Sequence, residues 1–369
     1  KYEPHKQHEY VKMTLGKSEV LVWKPDSIVD DQTLQYLDPD LGFLGMQEEI
    51  HNLEGCKTGT IVGEAQVKDL KRGHPNTRVI QSRWVCAYKG ETRVRCRIVA
   101  KDFNRGSSAK SLGFSSPTPS IESVHLVLTI ACKRGYRLRS LDISHAFMHS
   151  PIRGGTKIVL KLPLSVSLVS GEPGFMILDK ALNSLRDASL CWLELLSDTV
   201  ESVGLWNDSL EPCVYGGAIH DENGVFLGHT LAIVYVDDML LASSTEEAED
   251  RVAKALNKVV PTKTTGLITP SDGGSLTFIG RVITQEKGGS EIFLGVDPQY
   301  MNPTFEEYGV TKGSDFVPDI ASHLERTVSD SSHQKPLSDE AYSRFRRALG
   351  RLLWLSQVRH DLKAWLSLR

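Results

Sequence analysis

No apolar run in this 369-residue chain approaches the roughly 20 residues that span a bilayer, and its charged start, Lys1-Tyr-Glu-Pro-His5, is not a signal peptide. These absences predict a soluble, unexported protein. The six cysteines (Cys56, Cys86, Cys96, Cys132, Cys191, Cys213) include no C-x-x-C pair, which argues against a zinc knuckle or a disulfide framework and reads as reduced intracellular thiols. There is no internal repeat, no initiating Met, and the end, Leu366-Ser-Leu-Arg369, falls inside an amphipathic pattern, so a segment of something longer is expected. Net charge is only −3, which ordinarily counts against a nucleic-acid partner. The charge is uneven, however: residues 71–110 hold eleven Lys and Arg against Glu91 and Asp102, a local balance of +9. Such a block contacts phosphate or forms a solvated strand face. A second basic cluster, Arg344, Arg346, Arg347 and Arg351, sits on a helical pattern near the end.

What is present and unusual is a pair of acids inside an apolar run. Leu231-Ala-Ile-Val-Tyr-Val236 leads into Asp237-Asp238 and then Met239-Leu-Leu-Ala242, which reads as a β-hairpin with Asp-Asp as its two-residue turn. Like charges held together repel and lose water, so a buried tip needs a compensating cation, whereas an exposed tip needs none. Asp142 stands in a comparable setting, after the strand-like stretch 136–141, and lies 95 positions before Asp237. Only a fold could unite them. If it does, their oxygen donors suit a pair of Mg²⁺ ions roughly 3.5–4 Å apart, the arrangement for in-line phosphoryl transfer.

Around these acids the pattern alternates strand and helix. Residues 1–75 look weakly structured, with only 46–53 helical. A basic hairpin follows, Arg83 to Tyr88 and Arg93 to Ala100 around a Lys89-Gly90-Glu91 turn. Ser120 caps a helix with Ile121, Val124, Val127, Leu128 and Ala131 on one face and Gly135 at its end. A second helix is expected over about 185–204, and Ser244 with Glu247 fits a capping box opening a third. Strands at 276–279 and 291–294, a helix at 300–308, a linker at 329–336 and a last helix from about Asp339 complete the order.

Taken together, these residues resemble the reverse transcriptase of copia-type LTR retrotransposons from about Met46 to Leu362. Arg83-Trp-Val with Arg95-Cys-Arg-Ile-Val-Ala-Lys-Asp-Phe103 is similar to its fingers segment, and Ser116-Pro-Thr-Pro with Leu141-Asp-Ile-Ser-His-Ala-Phe147 to its first palm motif. Tyr235-Val-Asp-Asp238, Phe278-Ile-Gly280, and Phe345-Arg-Arg-Ala-Leu-Gly-Arg-Leu-Leu-Trp354 with Val358-Arg-His-Asp-Leu362 match in the family's order. The resemblance implies an α+β right-hand polymerase fold with fingers, thumb and a palm whose antiparallel sheet carries helices on one face. It implies an RNA-directed DNA polymerase with two Mg²⁺ ions (Mn²⁺ in their place) on Asp142, Asp237 and Asp238. Arg97, Lys101, Phe147 and Arg186 would bind the deoxynucleoside triphosphate, Phe147 by excluding a 2′-hydroxyl, and Tyr235 and Val236 would lie beside the primer end. Its partners would be an RNA template, a DNA primer, and integrase and RNase H regions of one polyprotein, in a cytoplasmic virus-like particle or the nucleus. The expected division is a lead-in to 75, fingers and palm over 76–250, end of palm and thumb over 251–328, and a linker with the start of a connection over 329–369.

One stretch departs from the family. Where the pattern reads S-L-Y-G-L-K-Q-A-P-R-A-W, this chain has Ala181-Leu-Asn-Ser-Leu-Arg-Asp-Ala-Ser-Leu-Cys-Trp192. Leu182, Leu185, Ala188 and Trp192 keep the packing face and Arg186 keeps a positive charge. Ser184 replaces Gly, Asp187 replaces Gln, Ser189 and Leu190 replace Pro and Arg, and His360 stands where Pro is usual. An unpaired Asp187 near an anionic substrate would be costly. The rival reading is therefore a remnant that binds nucleic acid without catalysis; another palm-type nucleotidyl cyclase or polymerase leaves the matches outside the palm without explanation.

Overall fold

The computed structural model describes residues 9–90, 92–102, 117–152, 155–310, 336–359 and 362–363. Glu91, Phe103, Arg105, Lys110, Ser116, His360, the expected linker over 329–335 and the end at 366–369 lie outside these residues.

Residues 9–75 correct the expectation of weak structure. They form the hairpins β1 (Tyr10–Leu15) with β2 (Ser18–Trp23) and β3 (Ile28–Val29) with β4 (Tyr36–Leu37), then α1 (Pro39–Gly55), β5 (Gly59–Val62) and α2 (Glu64–Gly73). β3 and β4, two residues each, are too short to show a period, whereas β1 alternates, with Val11, Met13 and Leu15 turned inward. Helix α1 starts a full two turns before Met46, because Asp38 accepts the N–H groups of Asp40 and Leu41 and Pro39 is preset for a first helical position.

The basic hairpin is β6 (Arg78–Tyr88) and β7 (Val94–Ala100), with Cys86 opposite Cys96 and Val85 opposite Arg97. Helix α3 (Ile121–Arg134) begins where Ser120 Oγ accepts the Ser123 N–H and stops at Gly135, left-handed at φ 61°. After it come β8 (Arg137–Ile143), the single turn α4 (Ala146–His149), β9 (Ile158–Lys161), β10 (Val166–Leu168), β11 (Phe175–Leu178) and α5 (Ala188–Glu201). Strands β12 (Trp206–Asp208), β13 (Glu211–His220), β14 (Phe226–Tyr235) and β15 (Asp238–Ser243) lead to α6 (Glu246–Val259) and β16 (Thr262–Ile268). The described chain ends with β17 (Gly274–Phe278), β18 (Arg281–Gln285), β19 (Ile292–Val296), α7 (Pro298–Glu307) and α8 (Asp339–Leu355).

Two large sheets organise these elements. The first runs β5-β11-β9-β6-β7, antiparallel except where β6 meets β9. The second, β12-β13-β14-β15-β8-β16, is antiparallel throughout. Period-two alternation divides the second sheet's side chains. Leu141, Met239 and Leu241 pack with Trp192, Leu196 and Val200 of α5 and Val252 and Leu256 of α6. Leu138, Ile233, Leu240 and Ala242 pack on the other face with Val124, Val127 and Leu128 of α3 and Leu276 and Ile283 of the small sheet β17-β18-β19. The helices expected on one face are thus joined by a second layer on the other, which shields the sheet on both sides.

Helix α8, in the stretch expected to start a connection toward an RNase H region, packs onto α7 and the β17–β18 turn. Trp354 stacks on Tyr300 with ring centroids 4.9 Å apart, Arg281 lies 5.2 Å from the Trp354 ring, and Arg351 donates to Thr304 at 2.6 Å. The cover is partial: Leu349, Leu352, Trp354 and Leu355 are half-buried, while Tyr342, Phe345 and Leu353 stay exposed.

Candidate active site

Strand pairing unites the acids that the sequence keeps apart. β15 lies between β14 and β8, so Tyr235 pairs with Asp238 and Asp238 pairs with Asp142 in one row across three strands. The two-residue turn is Val236-Asp237 rather than Asp-Asp, because Asp238 already belongs to the ladder. That one-residue shift separates the acids: Asp237 is exposed at the tip, while Asp142 and Asp238 are half-buried in the sheet.

Val236 carries the turn at φ 53°, a left-handed conformation rare for a β-branched residue. Two hydrogen bonds hold it there. Trp192 Nε1 donates to the Val236 carbonyl at 2.6 Å from the fully buried core, and the Ile143 N–H donates to the Asp237 carbonyl at 2.8 Å. Trp192, read from sequence as packing alone, therefore fixes the acidic turn as well.

Asp142 and Asp237 open on one cavity of about 440 Å³ between the two large sheets. Arg95 and Arg97 project into it from β7, Phe147 from α4, and Val236 from the turn. Asp238 opens instead on a second cavity of about 580 Å³, lined also by Tyr235, Gly280, Arg346, Gly350 and Trp354. Burial pushes the Asp238 carboxyl up to about 6, with the charges of Asp237 and Asp142 adding to the effect. Among the described residues none of the three carboxylates is in a contact salt bridge; Arg95 acts on Asp237 through its charge alone.

Two expected nucleotide contacts stand elsewhere. Lys101 is exposed just past β7, its N–H bonded to the Gln81 carbonyl, and is not among the cavity residues. Arg186 is turned toward Asp102: its backbone N–H donates to that carboxylate at 3.2 Å and its Nε lies 3.3 Å from it. Asp102 has only 5% of its side chain exposed and also receives both bonds of Arg78, so a buried charge claims both guanidiniums. Arg78 lies 3.8 Å from Asp187 as well, which supplies the compensation that this acid needs. Ser184 adopts φ 66°, the conformation that glycine takes without cost.

The cavity also holds residues that the sequence did not single out. His145, at φ 56°, lines it beside Asp142, and Glu48, Glu49 and Asn52 enter from α1. The signal for α1 was the Asp38-Pro39 helix start.

Mg²⁺ or Mn²⁺ suits this donor set. Among the described residues no three His, Cys, Asp or Glu side chains are grouped so as to hold a metal ion. Two carboxylates facing one cavity fit an ion that completes its shell with phosphate and water oxygens, as Mg²⁺ does at triphosphate sites.

The model of a family described as reverse transcriptase (RNA-dependent DNA polymerase) matches residues 66–318. The chain is 22% identical over 306 residues to the retrovirus-related Pol polyprotein from transposon TNT 1-94 of Nicotiana tabacum, a match covering 82% of this chain and 21% of that one. It is 23% and 24% identical to the retrovirus-related Pol polyproteins from transposons RE2 and RE1 of Arabidopsis thaliana, over 46% and 45% of this chain and 12% and 11% of theirs. The chain thus spans 21% or less of the length of these curated relatives. Among solved structures it is similar to apo telomerase from Candida tropicalis truncated from the C-terminal domain, at a TM-score of 0.38 and 10% identity over 73% of this chain and 63% of that one, a likeness too slight to argue from.

Proposed function

The chain belongs to the reverse transcriptase (RNA-dependent DNA polymerase) family, in its copia-like branch, and from that premise we propose that it extends a DNA primer on an RNA template by two-metal nucleotidyl transfer. One observation carries the reading. Asp142, on β8, and Asp237, in the turn between β14 and β15, open on a single cavity that β7 lines with two arginines.

In this reading Asp142 and Asp237 hold the divalent ions. The ions, when bound, lower the pKa of the primer 3′-hydroxyl and neutralise the leaving pyrophosphate. Arg97, half-buried, and Arg95, exposed, meet the negative charge of the triphosphate from the cavity wall. Burial lowers the pKa of Arg95, and Arg97 beside it adds to this, a repulsion that an incoming polyanion relieves. Phe147 occupies the wall where the sugar would lie and excludes a 2′-hydroxyl by bulk. Tyr235 and Asp238, on the second cavity with Arg346 and Arg347, place the primer end between the acids and α8. Integrase and RNase H regions would be neighbours in a longer polyprotein, working in a cytoplasmic particle or the nucleus.

The rival, a remnant that binds nucleic acid without turnover, draws on Arg186 being held by Asp102 and on Ser184 in a glycine conformation. Asp187, compensated by Arg78, no longer favours it. Extension of oligo(dT) on poly(rA) with Mg²⁺ or Mn²⁺ separates the two. The polymerase reading expects extension that Asp237→Asn abolishes. Well-folded protein that binds RNA in a salt-sensitive way yet never extends supports the remnant.

A further inference from the structure

Among the described residues strand β7 is the last of its sheet, and the backbone groups on its outer side have no neighbouring strand. Helix α1 takes that neighbour's place. Gly45 lies so close that an added Cβ would sit 2.4 Å from the Val94 carbonyl oxygen and 3.3 Å from the Cys96 nitrogen. One turn earlier, the Gly42 carbonyl accepts from Cys96 Sγ at 3.4 Å. One turn later, Glu49 Oε1 accepts the Ile98 N–H at 3.1 Å. These three residues recur at helical spacing along one face, and together they cover the edge from Val94 to Ile98.

Glu49 is the unexpected member. A carboxyl 3% exposed is expensive to keep inside a protein without a reason. Its bond gives one. The Ile98 nitrogen belongs to the peptide unit whose carbonyl is Arg97's, so the bond fixes the backbone directly beside the Arg97 side chain. Along β7 the even residues Val94, Cys96, Ile98 and Ala100 are buried in the core, while Arg95 and Arg97 point to the cavity that also holds Asp142 and Asp237. Glu48 grips the same hairpin through an ion pair to Arg93. Burial holds the Glu49 carboxyl up to about 7, with the Ile98 N–H, Arg97 and Arg95 pulling the other way. Helix α1 precedes the family-matched residues 66–318, so its part in the site is carried by these contacts alone.

We infer that Glu49 is a positioning residue of the nucleotide site: by accepting the Ile98 N–H it fixes the edge of β7, and so the placement of Arg95 and Arg97 over the Asp142–Asp237 pair for an incoming nucleoside triphosphate. The inference rests on the polymerase reading and deepens it. Glu49 touches no reacting atom; it acts through the strand.

The test compares the full chain with Glu49→Leu, which keeps bulk and loses the acceptor, and Glu49→Gln, which keeps an acceptor oxygen. A misplaced binding group acts on nucleotide affinity, so Glu49→Leu is expected to raise KM for dTTP about tenfold while kcat changes less than about threefold. Glu49→Gln is expected to restore KM to within about threefold of the parent. Loss of kcat and melting temperature with KM unmoved shows a merely structural role and overturns the inference. Should Glu49→Leu fail to fold, Gly45→Ala replaces it, since its Cβ lifts α1 off the same edge; an unchanged KM there is equally fatal. If the parent chain does not extend primers, the polymerase reading fails on its own. The inference is then judged by equilibrium binding of dTTP with Mg²⁺: about tenfold weaker binding in Glu49→Leu upholds it, and equal binding or none in the parent refutes it.

Discussion

At the scale of single residues, the cavity wall carries two of the six described non-glycine residues with positive φ. Val236, His145 and Ser184 all have positive φ without being glycine, and Val236 and His145 line the cavity. Such conformations persist only where surroundings over-determine them. For Val236 the surroundings include Trp192, so Trp192→Phe, which keeps the ring and deletes the donor, is expected to destabilise the fold by about 1–2 kcal/mol and to lower primer extension. Chemical denaturation alongside the extension assay checks both. Ser184 is exposed and makes no such bargain with the core. Ser184→Gly is therefore expected to stabilise the chain by about 1 kcal/mol, read as a raised urea midpoint; a lowered midpoint would show that the serine side chain holds the turn.

Glu49 gives a pH dependence with a definite sign. Its carboxyl rises from the ordinary 4.5 to about 7 in the folded chain, so between those values the native state holds more protons than the unfolded one. Its contribution is fully present below 4.5 and is lost as pH rises through 7. Glu49→Gln has no such group, and its stability relative to the parent is expected to improve by about 3 kcal/mol between pH 4.5 and pH 8. Urea midpoints across that range measure the difference, and a constant difference contradicts the assignment.

At the scale of elements, what was legible followed local chemistry. The Ser120 cap, the apolar face and the stop at Gly135 define α3 without help from the rest of the chain. The start of α6 shows the limit of this. Ser244 has the right chemistry for a cap, but its Oγ accepts the His229 N–H from the neighbouring strand, and Thr245 caps the helix by accepting the Ala248 N–H. A partner 15 positions away decided between two adjacent hydroxyls, and that partner does not show in a one-dimensional pattern. The same holds for the acidic turn, whose register is set by pairing with β8, and for β3 and β4, whose partners give them a shape that two-residue runs do not announce. Arg186 was legible as a cation, but its partner Asp102 lies 84 positions away.

Helix α6 is held to the second sheet by ions as well as by its apolar face. Glu249, fully buried, meets Arg139 at 2.9 Å and Arg137 at 3.3 Å from β8. Removing one cation leaves a buried anion with less compensation, so Arg139→Leu is expected to cost about 3 kcal/mol. Equilibrium unfolding of this variant checks it, and a loss below about 1 kcal/mol would show that Arg137 alone suffices.

At the scale of the whole molecule, the second sheet brings acids from its middle strands to one end, and the first sheet brings a basic hairpin to face them. Helix α8 adds Arg346, Arg347 and Arg351 beside Tyr235 and Asp238. The near-neutral total conceals this separation of charge. Template-primer affinity is accordingly expected to fall steeply with salt, and Arg347→Ala to reduce the log–log slope by about 1. The central claim is narrower than any of these: Asp142 and Asp237, far apart in the chain, serve the same ion. Titration of Mn²⁺ into the parent chain, Asp142→Asn and Asp237→Asn, with dTTP present, tests it most directly. Each substitution alone is expected to abolish the same binding event; a variant that keeps the parent's Mn²⁺ affinity would show that the two carboxylates do not share a metal.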